Sequence, residues 1–310
     1  VSEKQVKHVH LRAKKIIEGC NFQLWTDISA SIIQTYLASL RKDTDEKRGI
    51  SPQTYNWYLQ SVKAFCKWME NEGRAPENPL KHLKGINVKV DCRHSRRALT
   101  QEEVKKLLDG TFAGDVRYGM TGYERSMLYK AALASGLRAS ELKTLTVDSC
   151  DLDSESPTLT VKACYSKHRR EDIQPILKSF AKELKAFIDG RNQNELLFPT
   201  MPRIDSLAKM IKSDLESVNL KYKNDAGHIA DFHALRHTYI TNLARAGIHP
   251  KIAMDLARHS DINLTLARYS HTLVADRASA LEATEPTNKK DSQPQEAKAT
   301  GTDDYVPKTN

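Results

Sequence analysis

Cysteine is scarce in this chain and poorly spaced for a structural role. The 310 residues hold five, Cys20, Cys66, Cys92, Cys150 and Cys164, an odd number with no CxxC pair and no histidine cluster beside them. That excludes a disulfide framework and a zinc-finger type of site, and it fits reduced thiols inside a cell. No apolar run approaches the roughly 20 residues needed to cross a bilayer, and the start has no charged-then-apolar signal pattern. A cytoplasmic protein is therefore expected. No internal repeat is visible, and no cluster of carboxylates suited to Mg2+ stands along the chain, so neither a metal nor another cofactor is expected. The first residue is Val1 rather than Met, which leaves a segment upstream of it as an expectation.

What the chain does have is length and a mild positive charge. With 310 residues it can build two domains, each burying its own core. The 48 Lys and Arg exceed the 39 Asp and Glu, giving a formal charge of +9. Such a balance suits an anionic partner such as nucleic acid, although a charge this mild is shared by many proteins that bind none.

The first part reads as helical. In "SPQTYNWYLQSVKAFCKWMENEG", Ser51 is a plausible N-cap, Pro52 fills the first helical position and Gly73 is the stop. Between them Tyr55, Tyr58, Leu59, Val62, Phe65, Cys66 and Met69 recur at helical spacing. Trp25, Ile28, Ile32, Ile33, Tyr36, Leu37 and Leu40 form a second such stripe. Then comes a break, with Pro76, Pro79 and Gly85 followed by a basic extended run through Lys89, Arg93, Arg96 and Arg97. This suits a linker that lies along a phosphate backbone. "TQEE", Thr100 to Glu103, is a capping box that opens a new helix and a new domain.

In the second domain a helix is expected over Tyr123 to Ser135, stopped by Gly136, and another from Arg138 through "ASELKTL". "SPTLTVKACYSKHRREDIQPIL" reads as two short strands, Leu159 to Ala163 and Ile173 to Leu177, around a basic turn. Helices are expected to resume at Ser179 and run on to Glu282. Residues 283–310 are polar and almost free of large aliphatics, a composition expected to stay disordered.

Several cations and imidazoles stand near element ends. Arg138 follows a helix stop and opens the next helix, where backbone N–H groups and a guanidinium can face one anion; most such arginines merely pair with an acid. His233 and Arg236 are three apart and share a helix face, a poor core face but a good pair of phosphate donors. His237 beside them is expected to face elsewhere as a satisfied core histidine. Lys167 sits in the basic turn with Arg169 and Arg170, where a lysine is usually solvated yet can also reach a DNA groove. Tyr269, in "LARHSDINLTLARYSHT", has helical spacing and reads equally as a core aromatic with a polar tip.

Taken in order, "ASGLRASEL", the basic-turn lysine eight residues before a proline in "KHRREDIQP", "HALRHT", "LARHS" and "ARYSHT" resemble the tyrosine recombinases, the phage integrase family. The resemblance covers nearly the whole chain except the tail. It implies a mainly α (α+β) architecture: an N-terminal helical-bundle core-binding domain over 1–84, a basic linker over 85–98, and a mostly helical catalytic domain with a small antiparallel sheet over 99–282. It further implies that Arg138 and Arg236 hold the scissile phosphate, that Lys167 protonates the departing 5′ oxygen, and that His233 donates to the phosphate or accepts the proton of the nucleophile. His259 is implied as a further phosphate donor, Tyr269 as the nucleophile, and Glu141 as an acid supporting the site from behind. His271 receives no role. Two departures stand out: Arg258 replaces the glycine many members carry before the third histidine, and Asp172 and Gln174 fill positions that are usually basic and aliphatic. The second leaves Lys162 as the fallback for the lysine.

The chemistry agrees with the residues. A phosphodiester is an anion, and attack on it concentrates charge on its equatorial oxygens, which two arginines and two imidazoles can stabilise. A tyrosine hydroxyl, with an ordinary pKa of about 10, is a weak nucleophile and needs cations or a base beside it. A phosphotyrosyl ester conserves the bond, so rejoining needs no ATP. The expectation is a site-specific recombinase acting on double-stranded DNA, nucleoid-associated, working as a homotetramer on paired sites, with accessory DNA-bending or directionality proteins open. The rivals are a type IB topoisomerase and a non-catalytic DNA-binding protein.

Overall fold

The computed structural model describes residues 3–164 and 171–269. The N-terminal part is three helices, α1 (Glu3–Gly19), α2 (Ala30–Arg41) and α3 (Pro52–Asn71). Ser51 caps α3 by accepting from the Thr54 amide, and Pro52 stands at its first position, where a missing N–H costs nothing. Tyr55, Leu59, Val62 and Cys66 on one face of α3 bury against Ile33 and Leu37 of α2 and Ile16 of α1. The second stripe is shorter than its spacing suggests. Trp25 lies in a separate single 3-10 turn, Trp25–Asp27, because the Asp27 carboxylate accepts from the Gln23 and Leu24 amides and closes the backbone there. The helix proper starts only at Ala30, with Ile32 pointing outward. α1 escaped the sequence reading because little of it is apolar; Ala13 and Ile16 are its buried hydrophobic positions.

The C-terminal part begins with α4 (Gln101–Phe112) and α5 (Gly122–Ser135). The expected capping box is present: Glu103 N–H donates to Thr100 Oγ1 at 3.1 Å and Thr100 N–H to the Glu103 carboxylate at 2.9 Å. α5 ends where the sequence predicts, at Gly136, which adopts a left-handed conformation. A side chain there would also strike the Tyr239 ring, 2.3 Å from an added Cβ, so the position is closed to larger residues. α6 (Ala139–Leu142) is a single turn rather than the longer helix expected, since the Thr144 hydroxyl donates to the Glu141 carbonyl and ends it.

Next comes a three-stranded antiparallel sheet, β1 (Cys150–Asp151), β2 (Thr158–Val161) and β3 (Asp172–Pro175), in the order β1-β2-β3. β2 and β3 pair with Thr158 opposite Pro175 and Val161 opposite Asp172, slightly offset from the predicted strands, and β1 is too short to leave an alternation in sequence. Asp172 and Gln174 are both buried, and Gln174 Nε2 donates to Tyr239 Oη at 3.2 Å. The basic turn with Lys167, Arg169 and Arg170 lies outside the described residues. So do His271, the stretch expected to be helical after Tyr269, and the tail.

The remaining helices are α7 (Lys178–Phe187), α8 (Leu207–Ser217), α9 (Phe232–Arg245), α10 (Pro250–Leu256) and α11 (Ile262–Tyr269). They are not continuous: residues 188–203 and 218–231 are mostly turns and loops. A second core forms around Leu128, Tyr129 and Ala132 of α5, Met210 and Ile211 of α8 and Leu235 of α9. Its polar centre is fully buried. Arg125 of α5 holds both oxygens of Asp214 of α8, at 2.9 and 3.1 Å, and its Nη1 donates to the Asp115 and Met120 carbonyls. Tyr129 Oη donates to the same carboxylate at 2.7 Å. Because all three guanidinium nitrogens of Arg125 are hydrogen-bonded, removing one partner should be far worse than replacing the group as a whole. Asp214→Ala is expected to destabilise the protein by about 3–5 kcal/mol in urea unfolding, the range for stranding a buried charge; a loss under about 1 kcal/mol would show that water reaches Arg125.

Candidate active site

The second core delivers four element ends to one place. They are the stop of α5, the start of α6, the first turns of α9 and the turn between α10 and α11. α9 begins there because Asp231 is an N-cap: its carboxylate accepts from the Ala234 amide at 3.1 Å. The same carboxylate receives Arg96 Nε from the linker, at 2.7 and 2.9 Å. A cleft of about 410 Å³ opens beside this pair, lined by Arg96, Arg138, Ser140, Asp231 and His233 among others.

Arg138 is the N-cap residue of α6. Its guanidinium donates to Glu141 Oε1 at 3.0 Å and its own backbone N–H to Glu141 Oε2 at 2.7 Å. The helix start and the guanidinium thus do face one anion, as the sequence suggests, but in the free protein that anion is the Glu141 carboxylate, which is only 1% exposed. Arg138 keeps 23% of its side chain open to solvent.

Arg236, one turn after His233 on α9, is 3% exposed. Its guanidinium donates to the Gly136 carbonyl at the end of α5 and to the Ala257 carbonyl after α10. One side chain therefore fastens three helices while placing its charge beneath the cleft. Burial, helped by the neighbouring charge of Arg138, lowers its pKa to about 10, which still leaves it a cation at neutral pH.

His233 lines the cleft and packs edge-on against His237, with ring centroids 5.2 Å apart. His237 is buried, as the sequence reading expects, and is one helical turn behind His233 rather than on a separate face. Desolvation, then the charges of Arg96 and Arg236, push the His233 pKa down to about 4. The imidazole is therefore neutral at neutral pH and able to accept a proton.

Arg258 is the residue whose importance sequence reading missed. α10 ends in a Schellman turn: the Arg258 amide donates to the Asp255 carbonyl and the His259 amide to the Met254 carbonyl, at 2.9 and 3.0 Å. That turn puts Arg258 at φ 51°, a left-handed conformation costing a residue with a Cβ about 1–2 kcal/mol. Its side chain turns inward and meets Glu141 Oε2 at 2.5 Å, with both groups at least 95% buried. His259 follows directly, sharing a 2.9 Å hydrogen bond between its Nδ1 and Thr265 Oγ1 on α11. Tyr269 is the last residue of that helix.

The structure thus brings together Arg138, Glu141, His233, Arg236 and, on the adjoining turn, His259, and it adds Arg96, Asp231 and Arg258. Lys167 lies outside the described residues; the fallback, Lys162, is exposed and stands just past the end of β2 rather than within a strand. The basic linker does less at its surface than its sequence suggests. Arg93 pairs with Asp91, Arg96 with Asp231 and Arg97 with Glu103, so three of its four named cations hold protein carboxylates. Signals for Arg96 and Asp231 were present, a basic residue in the linker and an Asp before "FHALRHT", but nothing local pairs residues 135 positions apart.

A profile of the phage integrase family matches residues 97–275, a span holding every residue of this cluster except Arg96. The chain belongs to the phage integrase family. The family's tyrosine recombinases are DNA breaking-rejoining enzymes that carry out site-specific recombination, and this chain is one of them. It is 26% identical over 285 residues to a tyrosine recombinase of Thermosipho africanus, covering 89% of this chain and 90% of the relative. It is 27% identical over 239 residues to tyrosine recombinase XerA of Thermococcus kodakarensis, covering 77% and 76%. Among solved structures, the XerH site-specific recombinase on difH DNA in a post-cleavage complex superposes with a TM-score of 0.66 at 18% identity, covering 90% of this chain and 78% of that one. A lambda integrase dimer on a core site gives 0.66 at 16% identity, covering 87% and 89%. These superpositions establish the same mainly helical fold with its small sheet.

The low pKa of His233 has a consequence for stability. From about pH 6.5 down to about pH 4 the unfolded chain binds a proton on this imidazole that the folded chain does not, so stability falls as pH is lowered through that window and the loss levels off below it. Urea unfolding near pH 7 and near pH 5 should therefore show a smaller loss in His233→Gln than in the wild type. Equal losses would mean that His233 titrates normally in the folded protein.

Proposed function

We propose that this recombinase cleaves and rejoins duplex DNA through a 3′-phosphotyrosyl intermediate on Tyr269. The observation that carries the reading is the cleft at the starts of α6 and α9. There Arg138 and His233 face solvent together, Arg236 adds a cation beneath them, and His259 stands on the turn leading into the helix that ends at Tyr269. A phosphodiester in the cleft would meet the open side of Arg138 while Glu141 keeps the buried side.

The tyrosine oxygen attacks phosphorus, one P–O bond forming as the bond to the 5′ oxygen breaks. The hydroxyl proton passes to a nearby base, His233 being the unprotonated imidazole of the cleft, and the leaving oxygen takes a proton from Lys167. One ester replaces another, so a 5′ hydroxyl can reverse the step with no ATP. The charge of the transition state is met by Arg138, Arg236, His233 and His259, and no step is assigned to a metal ion. Glu141 holds Arg138 in place.

The division into a core-binding domain over 1–84, a linker over 85–98 and a catalytic domain over 99–282 belongs to the same reading. It is supported by the two hydrophobic clusters, one ending at Leu80 and the other starting at Leu99. So does DNA as partner, supported by the DNA-bound relatives and the net charge of +9, and a tetramer on paired sites, with accessory proteins setting direction. Phosphate-directed affinity should fall steeply with salt.

The test is adduct trapping on nicked duplexes with a randomised core, read by denaturing gel and by sequencing the captured strands. The wild type should give a covalent adduct that maps to Tyr269 and to one recovered DNA site. Tyr269→Phe should give none while binding the recovered site with unchanged affinity. An adduct that persists in Tyr269→Phe would overturn the assignment, and relaxation of supercoiled DNA with no recombinant product would favour a topoisomerase.

A further inference from the structure

An arginine is a poor choice for a left-handed turn that glycine fills without strain, yet Arg258 holds φ 51° at the end of α10. Its side chain is 5% exposed and ends 2.5 Å from Glu141 Oε2, whose other oxygen takes Arg138. The buried carboxylate is thus shared by two guanidiniums, and a third, Arg236, is close enough to feel both: burial first, and then the charges of Arg138 and Arg258 against that of Glu141, loosen its proton. The backbone of the same turn is used as well, since the Ala257 carbonyl accepts from Arg236 and the His259 amide closes the turn.

The charge count gives this arrangement a purpose. Arg138 and Arg236 carry two positive charges and Glu141 removes one of them. With Arg258 present the cluster returns to two, in a site where burial keeps charges from being screened by water. Attack on a phosphodiester raises its charge from one negative to two. We infer that Arg258 is a positioning residue for strand cleavage: it neutralises Glu141, so that the carboxylate orients Arg138 without cancelling its charge. This rests on the reading of the cleft as a phosphoryl-transfer site.

The experiment is single-turnover adduct formation on the DNA site recovered by trapping, with thermal melting measured alongside. Arg258→Gly relieves the backbone but takes one guanidinium from the buried Glu141 carboxylate, so its Tm should fall, while cleavage slows about tenfold or more, somewhat less than for loss of a donor that touches the reacting oxygens. Arg258→Lys should recover much of the rate. The discriminating variant is Arg258→Gly combined with Glu141→Gln. If Arg258 acts by balancing Glu141, removing the carboxylate charge should make the double variant faster than Arg258→Gly alone. If Arg258 is only a structural prop, the double variant will be as slow as Arg258→Gly or slower, which would overturn the inference. An unchanged rate in Arg258→Gly would overturn it too, while leaving the cleft's function intact. Failure of the wild type to form any adduct would instead remove the reading on which the inference rests.

Discussion

Guanidinium groups repel one another, and a site that gathers several of them for a single anion must hold them together before the anion arrives. Here one buried carboxylate does this. Glu141 binds Arg138 through both side chain and backbone and binds Arg258 from the other side. Around it, the end of α5, the start of α6 and the turn after α10 are drawn to one point, and Arg236 secures the first and last through their carbonyls. The geometry of the free protein is thus preorganised by interactions among the protein's own charges.

That arrangement explains the irregular burial of the site. The Arg138 side chain, held by Glu141, keeps part of its surface open. A cation that must hold helices has to be saturated, and Arg236 is buried against two carbonyls. His233 lies between these extremes: desolvated enough to lose its proton, exposed enough to line the cleft. Three neighbouring basic residues therefore differ in protonation through side-chain type, burial and mutual charge, and in access through depth.

The sequence made local features readable and left distant ones hidden. Ser51 with Pro52, Thr100 with Glu103, and Gly136 were legible because a cap is a contract between residues a few positions apart. The same locality made Arg138, His233 and Arg236 stand out, since each sits at a fixed offset from an element end. Arg96 with Asp231, and Glu141 with Arg258, were invisible because their partners are brought together only by the packing of α6, α9 and α10. Short elements also failed to register: two-residue β1 has no period to detect, and α1 buries too few apolar positions to announce itself. Arg258 shows how a departure from a family pattern misleads. It looked like a tolerated substitution for glycine, and only the left-handed turn and the inward path of its side chain give it a meaning.

The pairing of Asp231 with both Arg96 and the first turn of α9 has a mechanical side. The carboxylate is the hinge pin between the segment leaving the N-terminal helices and the helix that carries His233 and Arg236. A displacement of the linker cannot stop at the linker: it either breaks two short hydrogen bonds or drags the start of α9 with it.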